Sequence, residues 1–416
     1  MEKTGRGRGT GARAVPFLRL TEGRNMGNGK KWVSVWGNAM SVTERTAAGY
    51  GKDITFRYPV PVAFDGDAVR LTFDNFCGTE DAELSCVYVA QGVGDEQTQG
   101  ATACAVTFGG EQGTVIPAGG AVVSDPVPAE LRRGTLLTVS FYFAGYVELR
   151  SGVDASGPLS RGSFAFGNHV KSEHLPIERT RSTDTYYFLS DVSVHTAEGN
   201  AAIICYGDSV TARSWPDYLT LELAKGGISG RSVVRKAASG SRILRQYGCA
   251  AYESYGLKGS VRFPHEIDAV DGARYVIILH GINDIIHPVG TTENPFRPWS
   301  DLPVRTELTG GLISYIDMAH ERGLKVFLGT LLPIEGWRTY EPFREQLRAG
   351  VNEFIRETPL ADGLIDFDKV VRDPLRPTRL SKACDSGDCL HPSEEGHRAM
   401  AREAARVLRD YERFRG

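Results

Sequence analysis

Residues 201–213, AAIICYGDSVTAR, decide the fold. An apolar run, 201–206, stops at Gly207-Asp208-Ser209, and a helical pattern starts near Trp215. That order reads as a buried strand, a tight turn and a helix. A serine on such a turn stands at the carboxyl end of a sheet, where α/β folds bind their ligands. Backbone N–H groups there face any negative charge that forms. A Gly-Asp-Ser turn also serves as a plain helix cap, so its meaning depends on what accompanies it further along.

Downstream, strand candidates at 203–206, 233–236, 275–280, 325–331 and 363–367 alternate with helical patterns at 215–225, 241–250, 303–322, 341–356 and 393–411. This alternation predicts a parallel sheet covered on both faces. Upstream, the texture is all-β. Short β-rich runs at 32–36, 53–59, 69–74, 84–90, 103–108, 136–144 and 186–194 are separated by Gly-, Pro- and Asp-rich turns. Residues 69–73 (VRLTF) and 137–141 (LTVSF) alternate apolar with polar, as half-buried antiparallel strands do. The expectation is a β-sandwich of jelly-roll type. Residues 145–185 show little periodicity and read as a long loop able to lie over a neighbouring site.

A length of 416 residues is long for one core, so two domains are expected. The division is a polar Gly/Arg-rich mobile segment at 1–26, a β-sandwich accessory domain at 27–196, and an α/β domain at 197–416, joined through 195–200 (HTAEGN). A net charge of −3 with scattered basic residues gives no footprint for nucleic acid or an anionic membrane. The longest apolar runs are strand-length, too short for a membrane span. The N-terminus lacks the apolar core of a secretory signal, which points to the cytoplasm unless a leader has been removed. Seven dispersed cysteines argue for free thiols, although Cys384 and Cys389 are close enough to bridge under oxidising conditions.

Four segments fall at strand ends: Gly207-Asp208-Ser209-Val210, Ala237-Ala238-Ser239-Gly240-Ser241, Gly281-Ile282-Asn283-Asp284, and Asp388-Cys389-Leu390-His391-Pro392 ahead of the last helix. Together they offer what acyl transfer needs. A serine hydroxyl is a weak nucleophile without a base. An imidazole titrating near neutrality can take and return its proton. Asp388, three residues before His391, can hold the second ring N–H. The Ser209 N–H, the Gly240 N–H and the Asn283 carboxamide can face an oxyanion.

Ser209, Gly240, Asn283 and His391, in that order and context, resemble the four namesake residues of the SGNH (GDSL-type) hydrolases. The resemblance covers about residues 200–415 and implies a three-layer α/β/α, flavodoxin-like domain. It implies a serine esterase or lipase with Ser209 as nucleophile, His391 as base, Asp388 as its orienting acid, and no metal or organic cofactor. GDSV stands where the family has GDSL, and Ala237-Ala238 stand where many members carry an Asn. The β-rich half resembles, through texture and words such as 69–75 (VRLTFDN), the sandwich that precedes the hydrolase in some bacterial SGNH esterases, including carbohydrate esterases.

The expected substrate is a small-molecule or carbohydrate ester of a short acyl group, acetyl in particular; homo-oligomers remain compatible with the sequence. Lipase, thioesterase or transacylase chemistry, and a non-catalytic glycan-binding protein on the same fold, are the alternatives. Asp208, His287, Trp299 and Trp337 are candidate substrate contacts in loops at the same sheet edge, with bracing or packing as the rival reading for each. Asp208 and Asp284 read as loop braces, His280 as loop packing, and Arg213 and Trp215 as either pocket or core.

Overall fold

The coordinates, a computed structural model, describe residues 29–43, 49–94, 96–176, 178, 180–226 and 228–415. The segment 1–26, expected to be mobile, lies outside them. Two antiparallel sheets face each other in the N-terminal half. One carries the strands Lys30–Gly37, Leu189–Ala197, Gly66–Asp74 and Ala121–Val123 in that order, with Val127–Leu131 also pairing Gly66–Asp74. The other runs Thr180–Thr183, Gly162–Phe166, Ile54–Pro61, Leu136–Phe143, Cys86–Gly92 and Cys104–Val106. Aromatic side chains from both inner faces interlock: the Phe73 ring meets Phe141 edge-on at 5.2 Å, and Phe141 stacks on Phe56 at 5.3 Å. This half is a β-sandwich.

Two sequence expectations change here. The alternation at 137–141 predicts a solvated face, yet Thr138 and Ser140 are buried. The reason is Arg57, itself fully buried. Its guanidinium donates to Ser140 Oγ (3.0 Å), Glu96 O (2.8 Å), His169 O (3.0 Å) and Ser172 O (2.7 Å), which draws two loops over that face. The 145–185 stretch is not one loop. It holds the strands Val147–Glu148, Ser151–Asp154, Gly162–Phe166 and Thr180–Thr183, each too short to show a period.

The C-terminal half is a five-stranded parallel sheet in the order Arg231–Ala237, Ala201–Gly207, Ala273–Leu279, Lys325–Gly329, Gly363–Ile365. Counted along the chain this is 2-1-3-4-5, the flavodoxin-like order, whose switch point lies between the first and third strands. The helices are α1 (Ser209–Ala212), α2 (Trp215–Lys225), α3 (Gly259–Asp268), α4 (Ile282–Ile286), α5 (Arg305–Glu321), α6 (Pro342–Glu357), α7 (Phe367–Val371) and α8 (Glu394–Arg415). α2 packs beside α8, and α3, α5 and α6 pack in series. The helix expected at 241–250 does not form, because the Ile243 and Leu244 N–H groups donate to the Asp284 carboxylate (2.8 and 3.0 Å) instead of continuing a helical ladder. Among the described residues no helix is long and apolar enough to cross a membrane.

The halves share one hydrophobic core. The sandwich strand Lys30–Gly37 lies along the edge strand Arg231–Ala237 and covers it, where an open edge would invite another chain. Ser232 Oγ donates to Ser34 O (2.5 Å). Lys236, fully buried, donates through Nζ to Asn38 O (2.9 Å) and Ser190 O (3.0 Å), with the Glu266 carboxylate 3.5 Å away. Removing this ammonium would leave two carbonyls without their donor in a dry interior and take one of two cations from Glu266. Lys236→Met should therefore cost about 3–5 kcal/mol, read in urea as a lower midpoint of a single transition that both halves share.

Candidate active site

Gly207 closes the strand Ala201–Gly207, level with Ala237 on one side and Leu279 on the other. A Cβ at Gly207 would stand 2.3 Å from Leu279 O, so only glycine lets the chain turn here between its neighbours. Asp208 then caps α1, accepting from the Val210 N–H (3.1 Å). Ser209 is the first residue of that helix. Its hydroxyl donates to His391 Nε2 (2.9 Å), and His391 Nδ1–H donates to Asp388 Oδ2 (2.6 Å). The other carboxylate oxygen of Asp388 accepts from the N–H groups of Leu390 (3.0 Å) and His391 (2.8 Å). A hydroxyl, an imidazole and a carboxylate from positions 182 residues apart thus form one hydrogen-bonded line at the switch point of the sheet.

Electrostatics favour a neutral imidazole. Burial pushes the His391 pKa below its ordinary 6.5, and the Arg213 and Arg338 guanidiniums push the same way; Asp388 opposes them without prevailing. For Asp388, burial pulls upward, but the hydrogen bonds from His391 and from two amides win and hold it below 3.8 as a carboxylate.

Gly240 and Asn283 follow the two strands that flank Ala201–Gly207, Gly240 in the loop after Arg231–Ala237 and Asn283 in α4 after Ala273–Leu279. Gly240 adopts φ +80, and a Cβ there would overlap the Tyr255 ring at 2.0 Å, so glycine is required twice over. Asn283 is buried and donates one Nδ2 hydrogen to Ser241 O (3.1 Å), leaving the second for another acceptor. Behind them, His280 lies against Ser241 Oγ and Tyr315 (both 3.1 Å), and burial lowers its pKa to about 3.

The four candidate substrate contacts separate. Trp337 reaches the site: its ring stands perpendicular to that of His391 at 6.3 Å. His287 is buried under Tyr255 (4.8 Å) and Tyr247 (6.1 Å), and burial drives its pKa well down. Asp208 must be corrected. It is 1% exposed, spends its carboxyl on the α1 amide, and is pushed up to about 7 by burial, which makes it a brace rather than a substrate contact. Trp299 is 54% exposed, packs against Phe343 at 6.0 Å and donates to Glu293 (3.2 Å). Trp215 belongs to the core, bonded to Thr211 Oγ1 (3.3 Å). Cys384 and Cys389 are both free thiols.

Sequence reasoning missed Tyr255, which no motif marks, and Arg338, which only its place beside Trp337 could have suggested. It also missed what the sandwich does here. Ala39 and Val153 pack on Ala238, two residues before Gly240. The Ser156 N–H donates to Ala212 O at the end of α1 (3.1 Å), and Arg150 pairs with Glu253 in the 3-10 turn Ala250–Tyr255 that carries Tyr255.

Residues 205–399 match the model of the GDSL-like Lipase/Acylhydrolase family. The chain carries a GDSL-like acylhydrolase domain. The domain is similar to several solved structures. One is a catalytic mutant of an acetylxylan esterase from Geobacillus stearothermophilus (21% identity, 50% of this chain and 94% of that one, TM-score 0.38). Another is a member of the lipolytic protein G-D-S-L family from Veillonella parvula (19%, 50% and 98%, 0.35). A third is a GDSL-like lipase from Bacteroides thetaiotaomicron (17%, 51% and 88%, 0.34). No curated protein matches the chain significantly.

The balance of charges in the GDSL-like domain sets a measurable titration. Followed by NMR, the His391 ring should titrate with a midpoint below 6.5. Asp388→Asn removes the group that raises it, so the midpoint should move lower still. A midpoint above 6.5 in the unsubstituted protein would contradict the described geometry.

Proposed function

We propose that this GDSL-like acylhydrolase is a serine hydrolase of carboxylic esters, acylated on Ser209. The observation that carries the reading is the unbroken line Ser209 Oγ–His391–Asp388 at the carboxyl edge of the sheet. Ser209 Oγ attacks the ester carbonyl and gives its proton to His391 Nε2. Asp388 keeps Nδ1 protonated and stabilises the imidazolium that forms. The oxyanion of the tetrahedral intermediate is held by the Ser209 N–H, the Gly240 N–H and the Asn283 Nδ2–H. His391 passes the proton to the departing alcohol, then takes one from the water that attacks the acyl-enzyme, and returns it to Ser209 Oγ as the acid is released.

The finer reading is a short acyl group, acetyl above all, on a carbohydrate alcohol. Tyr255 lies against Gly240 and Trp337 against His391, so aromatic rings border both the proposed oxyanion donor and the base, as befits a small acyl group. Their flat faces are also of the kind on which a sugar ring lies.

A fluorophosphonate probe should label the protein, and Ser209→Ala should abolish labelling and lower kcat for p-nitrophenyl acetate by about 10⁴-fold or more. Asn283→Ala should lower kcat by about 10²–10³-fold. Because His391 must be neutral to act, kcat/KM should rise with pH through a midpoint below 6.5 and then level off. A panel of p-nitrophenyl esters beside acetylated sugars reads acyl length and alcohol preference. Full activity in Ser209→Ala would end the proposal.

A further inference from the structure

Two guanidiniums act on His391, and among the described residues neither forms an ion pair. Arg213 is the residue that follows α1, four positions after Ser209, and is half-buried with an extended backbone (φ −87, ψ −161). It acts electrostatically on His391, on Asp388 and on the buried His397. Arg338 is exposed and lies over the Trp337 ring at 4.6 Å, the same ring that stands against His391. It acts on both His391 and His287.

Several other arginines around this end of the sheet are matched. Arg242 pairs with Asp301 (3.2 Å), Arg348 with Glu345 (2.6 Å) and Asp368 (2.9 Å), Arg376 with Glu335, and Arg344 donates to Pro288 O (2.8 Å). Among the described residues, neither Arg213 nor Arg338 has a hydrogen bond or ion pair. The nearby carboxylates are already engaged. Asp388 is held by His391 and two amides, and Asp385 accepts from the Gly387 (2.8 Å) and Cys389 (3.0 Å) N–H groups.

Two unpaired cations beside a base that must become cationic oppose the proposed chemistry. An anion between them would reverse that effect. Guanidiniums also present planar forks matched to carboxylate, phosphate or sulfate oxygens. Their position tells which half of the ester would bring the charge. His391 returns its proton to the leaving alcohol, so groups beside His391 face the alcohol half, while Gly240 and Asn283 face the carbonyl oxygen.

We propose that Arg213 and Arg338 bind an anionic group on the alcohol half of the substrate, so that the enzyme acts on esters of acidic alcohols such as acylated acidic sugars. This rests on the Ser209 reading and narrows its substrate class.

The test compares 4-acetoxybenzoate, whose leaving group carries a carboxylate, with its neutral methyl ester. Each kcat/KM is divided by that compound's rate of alkaline hydrolysis. The anion should be preferred by about tenfold or more, about 1.4 kcal/mol, and added salt should shrink the preference. The ratio should fall in Arg338→Gln and in Arg213→Gln and approach one in the double variant. Thermal unfolding verifies that the variants are folded. Equal ratios in all four proteins, with ester turnover intact, would overturn the anion site and leave the esterase reading standing. Should no ester be turned over and no probe label Ser209, calorimetry decides instead. Tighter binding of 4-hydroxybenzoate than of its methyl ester to Ser209→Ala, lost in the arginine variants, would uphold the anion site; equal binding would overturn it.

Discussion

The carboxyl edge of the parallel sheet is held by one buried guanidinium. Arg262, on α3 and fully buried, donates to Gly207 O (2.8 Å), Lys236 O (3.2 Å) and Ser241 Oγ (3.3 Å), and its plane lies over the Tyr206 ring at 4.4 Å. Those are carbonyls at the ends of two adjacent strands and a hydroxyl of the loop that carries Gly240. Strand ends are where ladder hydrogen bonding stops, and a carbonyl left there in a dry interior costs roughly 1–3 kcal/mol. A single planar donor set that satisfies these three acceptors also fixes the distances between them. The turn at Ser209 and the loop at Gly240 inherit that spacing. Glu266, one helical turn along α3, balances the charge with Lys236 at 3.5 Å and Arg262 at 3.9 Å.

The sandwich reaches this edge from outside. Met40 N–H donates to Glu266 Oε1 (3.0 Å), so the same carboxylate that balances Arg262 is bonded by the N-terminal half. Ala39 and Val153 on Ala238, and the Ser156 N–H on Ala212 O, bring the sandwich against the loop that carries Gly240 and against the end of α1. Arg235 donates to the same Ala212 carbonyl (3.1 Å) while paired with Asp217, which in turn accepts from the Leu159 N–H (2.8 Å) and Ser160 Oγ. These contacts make the sandwich part of the framework of the site.

Much of this was legible in the sequence. The run at 201–206 and the turn after it read correctly because a buried parallel strand is continuously apolar and glycine marks its end. The long helices read correctly because their apolar stripes span several turns. The 241–250 segment did not, since the winning interaction is a carboxylate 40 residues away, Asp284, capturing its amides. The strands within 145–185 escaped because two to five residues cannot display a period. Arg57 and the covered face of Leu136–Phe143 were invisible for a related reason: a buried arginine looks like a surface residue until its acceptors are known. At the candidate site, short motifs marked Ser209, Asp388 and His391, which the fold joins in one hydrogen-bonded line. Contacts made by tertiary packing alone, such as Tyr255 on Gly240, left no trace.

The seam between the halves is read through main-chain atoms on one side and a side chain on the other. Lys236 bonds the carbonyls of Asn38 and Ser190, and Ser232 bonds the carbonyl of Ser34. Any residue supplies a carbonyl, whereas only an ammonium or hydroxyl of the right reach can meet it. Mutational drift should therefore fall unevenly across the seam, with the sandwich free to change identity at those positions and the sheet edge held to its lysine and serine. A lineage could in this way remodel its accessory half extensively without ever releasing it.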